Sequence, residues 1–391
     1  MENIIFDTSE IQLSEILATY FNETAIQLPP NRVYRIDKTD ERWYYTIDKE
    51  LNPTFFMSVT AWTSKYVKDR ADIGIGLWRE KVGTEVANER LYDRSCYGTF
   101  MHIKLGLLLQ FRKIENYYAE LQQYMLDCGI IKSTNTEAER KLINKWNRDL
   151  YFDLLCYKDW IIKYDVKPIF IEGGLVSLSD RLAGSLDLVC EMYDKEYDKT
   201  PIEKRKKVRA IIDFKSGKNG FTDKHIMQLY EYKSIWLENF PNYPIDIVGN
   251  VAPTDWQKRK DKKPKCKFEV HSELRTKPTN VDSMVYGEDG RPILDETGHY
   301  VLVGETKEES YNLYEVQRKN YVANYLAERE EFDKNYIKID NDGVIDLDST
   351  ESDFSIIDLQ ELIIAKHQNL VDVEKEVSEI ETEQNLFTTI E

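Results

Sequence analysis

Two apolar segments that carry isolated acidic residues constrain the fold of this chain more than any other feature. Residues 210–215, Ala-Ile-Ile-Asp-Phe-Lys, form an apolar run that ends in a charged pair and is followed by Ser-Gly. Such a run predicts a β-strand that stops at a turn. Because side chains alternate along a strand, we expect Asp213 and Lys215 on one face and Phe214 in the core.

The second segment, residues 182–190, contains Asp187 as its only acidic residue. An unpaired carboxylate in an apolar strand is costly to bury, so a bound cation or Lys215 is expected to compensate it. The two segments are predicted to form an antiparallel pair whose long polar connection, residues 194–207, is the hairpin tip. A further predicted strand, residues 168–176, places Glu172 as a third carboxylate.

Residues 222–240 have the pattern of a helix whose N-cap lies near Thr222 or Asp223. Gln228 and Tyr232 are four residues apart and therefore project from the same helical face. There they could contact a phosphate or position Lys215. The alternatives at this point are a polar helix surface for the Gln-Tyr pair and a simple ion pair for the Asp-x-Lys strand end.

In chain order these residues read G-x-x-D at 184–187, D-x-K at 213–215 and Q-x-x-x-Y at 228–232. This order resembles the PD-(D/E)XK nuclease superfamily, and specifically its RecB-like exonuclease branch. The resemblance covers about residues 30–255. It implies a mixed α/β fold of the restriction-endonuclease-like type, in which a mixed β-sheet is flanked by helices.

The N-terminal half extends the resemblance to phage-type members. Ser58-Val59-Thr60 followed by Trp78 and Gly83 is similar to their S-V-T…W…G opening. Residues 98–102, Gly-Thr-Phe-Met-His, are similar to the family motif G-T-x-x-H, which begins a helix and supplies a histidine. For His102 taken alone, the alternative is a helix residue satisfied by a neighbouring hydrogen bond.

The resemblance implies a metal site and a catalytic lysine. His102, Asp187 and Asp213 would ligate one or two Mg²⁺ or Mn²⁺ ions, with the backbone carbonyl of Phe214 as a further ligand.

Lys215 would be the catalytic lysine, and Glu172 would lie beside the metal as an additional acid. Hydrolysis of a phosphodiester by metal-activated water is the implied reaction.

Charge distribution qualifies this expectation, because the chain carries a formal net charge of −17. Residues 340–391 contain 15 acidic and two basic residues, so the remainder carries only −4. Two basic runs in that remainder, residues 204–209 and 258–265, are expected to contact phosphates or to be solvated loops. The first run contributes Lys204, Arg205, Lys206 and Lys207 as candidate substrate-binding residues.

The predicted organisation is a nuclease domain with two additions. A small β appendage is expected at 1–56, the nuclease domain at 57–335 and an acidic, partly flexible tail at 336–391. Within the domain we expect a helical part at 60–166, with helices at 66–96, 99–128 and 136–164, followed by the sheet core at 168–252. The last part, 267–334, is expected to contain a hairpin at 281–305 and a helix at 307–334. The tail could mimic DNA, dock a protein partner or act only as a solubilising segment.

Several motifs are missing from the sequence. The five cysteines are dispersed without a C-x-x-C pair, so we predict no disulfide framework, zinc site or iron–sulfur cluster. No G-x-x-x-x-G-K-[ST] motif is present, and no bound nucleotide is predicted. Without an N-terminal signal or a long apolar span, we expect no membrane association and a cytoplasmic location, in the host cytoplasm if the chain is phage-encoded.

The leading hypothesis is a metal-dependent DNA exonuclease of replication, recombination or repair, acting on single-stranded DNA or duplex ends. Two alternatives are a structure-specific DNA endonuclease and a non-catalytic DNA-binding or assembly subunit that retains the nuclease fold. The intact set of His102, Asp187, Asp213 and Lys215 argues against the last of these. RNA remains open as a substrate.

Overall fold

The computed structural model describes residues 5–13, 21–23, 25–26, 33–37, 42–48, 53–196, 199–217, 220–254, 265–288 and 291–337. The acidic tail predicted for residues 336–391 therefore lies almost wholly outside the described residues. Most of the second basic run, residues 258–265, also lies outside them.

An eight-stranded mixed sheet forms the centre of the described structure. Its strands are β1 (Tyr34–Asp37), β2 (Arg42–Ile47), β3 (Pro53–Ser58), β4 (Lys167–Ser177), β5 (Leu182–Tyr193), β6 (Lys207–Phe214), β7 (Ile247–Pro253) and β8 (Cys266–Val270). The pairs β3–β5 and β6–β7 are parallel, and the other neighbouring pairs are antiparallel. A separate two-stranded ribbon consists of β9 (Leu274–Met284) and β10 (Leu302–Asn312).

Helices cover both faces of this sheet. They are α1 (Val59–Tyr66), α2 (Arg70–Val82), α3 (Thr84–Leu109), α4 (Tyr118–Asp127), α5 (Glu137–Lys163), α6 (Asp223–Asn239) and α7 (Leu313–Ile337). Side chains from α3, α4 and α5 pack with Leu188, Ile212 and Phe214 in one apolar cluster. Side chains from α1, α6 and α7 pack with Val189 and Ile211 in a second cluster. Because side chains alternate along β5 and β6, these two strands contribute side chains to both apolar clusters.

The structure confirms the predicted mixed α/β class, with a mixed sheet flanked by helices and a helical region before the sheet core. The predicted antiparallel pairing of the two acid-bearing segments is present as β5 and β6. Among the described residues, no helix combines the length and apolar character needed to cross a membrane.

Strands β1 and β2 form the hairpin expected in residues 1–56, but they do not lie apart from the sheet. Strand β3 crosses the expected boundary at residue 56 and pairs in parallel with the start of β5. Through this pairing β1–β3 extend the central sheet.

Strands β3 and β6 share one edge of β5. Met57 and Ser58 of β3 pair with Leu182 and Ala183, whereas β6 pairs with residues 188–193. Strand β4 occupies the opposite edge along almost the whole of β5. Residues 184–187 therefore face the junction between two neighbours, and this junction is where the candidate site forms.

A buried charge cluster attaches α7 to the body of the protein. Arg318 of α7 contacts Asp180 at 2.6 Å and Glu231 of α6 at 2.7 Å. Burial raises the pKa of Glu231 to about 8, although the charge of Arg318 opposes this shift. Burial thus favours the protonated form of Glu231 in the folded protein.

This cluster predicts a pH dependence of stability. The pKa of Glu231 is about 8 in the folded protein and has an ordinary value of 4.5, so the folded state binds the extra proton between these values. The free energy of unfolding should therefore fall as the pH rises through this window. We expect Glu231→Gln to reduce the slope of the unfolding free energy against pH by up to about 1.4 kcal/mol per pH unit, as measured by denaturant titrations at several pH values. Parallel pH profiles for the two proteins would contradict this assignment.

Candidate metal and catalytic site

Three side chains from three elements converge at the junction on β5. His102 of α3, Glu172 of β4 and Asp187 of β5 each offer one ligand atom, and these atoms lie within 4.8 Å of one another. The Nδ1 atom of His102 is 3.4 Å from Glu172 Oε1 and 3.5 Å from Asp187 Oδ1. Two carboxylates and an imidazole thus face a common point.

The backbone of Glu172 is held in the left-handed region, with φ at 48°. For a residue other than glycine this conformation is uncommon and costs about 1 kcal/mol or more. Its neighbours Ile171 and Gly173 pair with Leu188 and Leu186, so Glu172 lies opposite Asp187 across the strand pair. The strained backbone conformation thus occurs at Glu172, the residue whose carboxylate lies near that of Asp187.

His102 lies in the middle of α3, so the prediction that the G-T-x-x-H motif begins a helix is wrong. Helix α3 continues from Thr84 through Gly98 and Thr99, whose hydroxyl donates to the carbonyl of Ser95 at 3.1 Å. Gly98 instead permits a close approach, because a Cβ atom there would lie 3.1 Å from Ser216 Oγ. The strand end at 214–216 thereby reaches the helix one turn before His102.

The backbone of Phe214 contacts both Asp187 and His102. Its amide donates to Asp187 Oδ2 at 2.7 Å, and its carbonyl oxygen lies 3.0 Å from His102 Nε2. The Phe214 ring is buried, as the strand alternation predicts, and packs edge-on against Tyr157. The carbonyl expected to act as a metal ligand therefore lies beside the candidate ligands.

Asp213 and Lys215 form the predicted pair. Lys215 Nζ lies 3.0 Å from Asp213 Oδ1, 2.9 Å from Asp213 Oδ2 and 3.0 Å from Gln228 Oε1. The converging ligand group contains Glu172, whereas the Asp213 carboxylate is held by Lys215 and by Asn250 at 2.6 Å. The ligand role of Asp213 stays a prediction.

Gln228 and Tyr232 support the lysine and do not lie on the surface. Both side chains are buried, and Gln228 Nε2 donates to Tyr232 Oη at 3.0 Å. Because the amide oxygen of Gln228 accepts from Lys215, this geometry corresponds to the positioning role and not to direct contact with a phosphate.

Burial and close charges shift the acid–base properties of the site. Burial alone would lower the pKa of His102, but the charge and hydrogen bond of Asp187, together with Glu172, raise it well above its ordinary value. Burial opposes ionisation of Asp187, yet His102 and Lys215 lower its pKa overall. Burial raises the pKa of Glu172, and it raises that of Asp213 to about 6 although Lys215 acts in the opposite direction.

The donor set is compatible with a divalent cation. A protonated His102 offsets part of the negative charge of Glu172 and Asp187, and a divalent cation held by the same ligand atoms would offset both carboxylate charges. Carboxylate and carbonyl oxygens suit Mg²⁺ and Mn²⁺, and an imidazole ligand must bind in its neutral form. The residues that would hold the ion are His102, Glu172 and Asp187, with the carbonyl of Phe214 adjacent.

Gly184 couples the G-x-x-D motif to the Q-x-x-x-Y motif. A Cβ atom at Gly184 would lie 2.5 Å from Tyr232 Cε1 and 3.1 Å from Tyr232 Oη. No ordinary side chain fits at that distance, so the glycine provides the space that the tyrosine ring occupies. The two motifs are thus in direct contact in the fold.

We expect Gly184→Ala to destabilise the protein by about 1–3 kcal/mol, because it overpacks a filled site. Displacement of Tyr232 would also release Gln228 and lower activity. Gly304→Ala is the matched control, because no atom of the described part of the chain lies within 4 Å of a Cβ atom at Gly304. Thermal denaturation of both variants measures the difference, and equal melting temperatures would contradict the packing argument.

The first basic run lies at the far end of β6 from the site. Lys207 precedes Asp213 by six residues on this strand, which corresponds to about 20 Å. Its ammonium group contacts Asp165 at 2.7 Å and lies 4.2 Å from the centre of the Tyr193 ring. Arg205 stacks on the same ring at 4.8 Å. The structure therefore does not bring Lys204, Arg205, Lys206 and Lys207 to the converging ligands.

Three further residues contact the site or its supporting side chains and were not predicted from the sequence. Asn250 of β7 contacts Asp213, His271 contacts Asn250, and the Tyr157 hydroxyl donates to the carbonyl of Lys215 at 3.1 Å. A signal existed for Asn250, which is the single polar side chain in the strand Ile-Val-Gly-Asn-Val-Ala-Pro. Tyr157 and His271 had none, since their contacts depend on packing between distant segments.

Comparison of the sequence with models of known protein families gives no match, and comparison with curated proteins gives none either.

Proposed function

We propose that this protein is a divalent-metal-dependent deoxyribonuclease that hydrolyses phosphodiester bonds, and that it acts as an exonuclease. The observation that carries the proposal is the convergence of His102, Glu172 and Asp187 beside the Asp213–Lys215 pair. The motif order that resembles the PD-(D/E)XK nuclease superfamily supports it.

A bound Mg²⁺ or Mn²⁺ ion would supply activation of water and neutralisation of charge on the phosphate. The roles of the protein's own groups follow from their contacts. Glu172 and Asp187 would provide oxygen ligands from adjacent strands, and the Phe214 amide orients Asp187 by donating to Oδ2. His102 of α3 would contribute a nitrogen ligand.

In this proposal Lys215 acts on the substrate. An ammonium group has three N–H donors, and among the described residues Asp213 and Gln228 engage it. Those two partners account for two of the donors, so the third can point to the attacking water or to a phosphate oxygen. Such a fixed donor stabilises charge that develops during phosphoryl transfer.

The choice of DNA as substrate rests on the resemblance and on the near-neutral charge of residues 1–339. Three acidic residues near the reaction centre repel a polyanion unless a cation compensates them. We therefore expect DNA affinity at the site to depend on the metal. A cytoplasmic location, where intracellular DNA is accessible, belongs to the same proposal.

The test is incubation of the full chain with linear and covalently closed circular DNA, single-stranded and double-stranded, with Mg²⁺, Mn²⁺ or EDTA. Exonuclease activity predicts metal-dependent loss of linear DNA and survival of circles. Cleavage of circles would instead identify an endonuclease. Absence of cleavage of any DNA would contradict the proposal, and a parallel assay on RNA would show whether only the substrate assignment is wrong.

A further inference from the structure

A buried chain of side chains lies behind Asp213, on the side away from Lys215. Asn250 on β7 is the register partner of Asp213 on the parallel strand β6. Its Nδ2 atom donates to Asp213 Oδ2 at 2.6 Å, and its Oδ1 atom lies 2.9 Å from His271 Nε2. Asn250 is fully buried and His271 is 5% exposed, so neither side chain can reach substrate in solution.

His271 determines which way the Asn250 amide points. The amide oxygen of asparagine only accepts hydrogen bonds, so His271 Nε2 must carry the proton in this contact. With Oδ1 engaged in this way, Nδ2 is directed at Asp213. Burial lowers the pKa of His271, which is consistent with a neutral ring.

Both backbone groups of His271, the amide and the carbonyl, are hydrogen-bonded. Its backbone amide donates to Val248 at 3.0 Å, and its carbonyl accepts from the Tyr230 hydroxyl at 2.8 Å. The Tyr230 hydroxyl in turn accepts from Asn312 at 2.8 Å. The histidine ring therefore has a fixed position relative to β7.

We propose that Asn250 and His271 form a buried relay that orients the Asp213 carboxylate and, through it, the Lys215 ammonium group. Both are positioning residues, and this inference rests on the proposed function of the site. Asp213 Oδ2 accepts from Asn250 and Oδ1 accepts from Lys215, so the orientation of the carboxylate sets the direction of the lysine. Groups that hold an active residue in this way typically contribute 10–100-fold to activity or metal affinity.

Four variants test the relay. Asn250→Leu keeps the approximate volume and removes the donor, and His271→Phe removes the group that orients the amide. His271→Gln restores an N–H donor and should rescue most of the loss. Asn147→Leu is the control for the cost of replacing a buried asparagine, since Asn147 is 3% exposed on α5. It lies ten residues before Tyr157, about 15 Å along the helix.

The first readout is steady-state cleavage of linear DNA with Mg²⁺. We expect Asn250→Leu to lower kcat by about 10–100-fold with little change in KM, because the residue does not touch substrate. His271→Phe should also lower kcat, and His271→Gln and Asn147→Leu should remain close to the wild type. The relay would be overturned if a folded Asn250→Leu protein had the wild-type kcat, whether or not its KM had increased.

The second readout needs neither metal nor turnover. The side-chain ammonium resonance of Lys215, assigned by its loss in Lys215→Ala, reports how firmly the group is held. Asn250→Leu should shift or broaden this resonance, whereas Asn147→Leu should not, and an unchanged resonance in Asn250→Leu would contradict the relay. If the wild type cleaves no DNA, the proposed function fails, and this signal still decides whether the relay exists.

Discussion

Replacing Lys215 with methionine is expected to lower the rate of DNA cleavage by about 10³-fold while the protein stays folded. Removal of one fixed donor to developing charge typically costs 10²–10³-fold in kcat. The loss should lie at the upper end, because Asp213 then also loses the cation that contacts both of its oxygens. Single-turnover cleavage of linear DNA at saturating Mg²⁺ measures the effect.

Lys224→Met is the matched control for this substitution. Lys224 lies on α6 with a side-chain exposure of 22%, close to the 23% of Lys215, and its ammonium group contacts Asp72 at 2.7 Å outside the site. Its replacement should leave kcat unchanged. Cleavage by Lys215→Met at a rate comparable with this control would contradict the assignment of Lys215.

Replacing Arg318 with leucine is expected to lower the free energy of unfolding by about 3–5 kcal/mol. Removal of one partner of a buried ion pair leaves an uncompensated charge, here mainly that of Asp180 because burial favours the protonated form of Glu231, and losses of this size are typical. Arg318 is 11% exposed and joins Asp180 to the fully buried Glu231. Chemical denaturation at neutral pH, followed by circular dichroism, measures the change.

A surface ion pair between the same two helices provides the comparison. Lys233 of α6 contacts Glu315 of α7 at 2.8 Å, and Glu315 is 45% exposed. Lys233→Leu should cost less than about 1 kcal/mol. The triple variant Asp180→Asn, Glu231→Gln, Arg318→Leu should be more stable than Arg318→Leu alone, because it leaves no buried charge. Equal losses at Arg318 and Lys233 would refute the buried-charge account.

Local sequence patterns were sufficient for the elements that carry the site. The apolar run ending in Asp213 and Lys215 predicts a strand end, and the structure places the two side chains in contact with Phe214 buried behind them. The helix expected at 222–240 is observed as Asp223–Asn239. These predictions succeed because the period of a strand or helix relates residues only two to four positions apart.

For other helices and for the C-terminal hairpin, the boundaries expected from the sequence differ from those observed. The helix expected at 66–96 is interrupted at Gly83, which has φ at 89°, and α3 runs through the break expected between residues 96 and 99. The hairpin expected at 281–305 begins at Leu274 and ends at Asn312, so the last helix begins at Leu313 and not near 307. Polar, mixed segments contain few periodic apolar positions, and there strand pairing decides the limits.

The sequence by itself supplies the carboxylates, the histidine and the lysine as candidate site residues, through strand-end patterns and a motif order that resembles the PD-(D/E)XK nuclease superfamily. Only the tertiary structure shows that Glu172 joins His102 and Asp187, that Asn250 supports Asp213, and that the basic run at 204–207 lies about 20 Å along β6 from Asp213. The physical reason is that side-chain period is a local property of the chain. Which side chains meet depends on strand register and on helices that pack against the sheet from distant parts of the sequence.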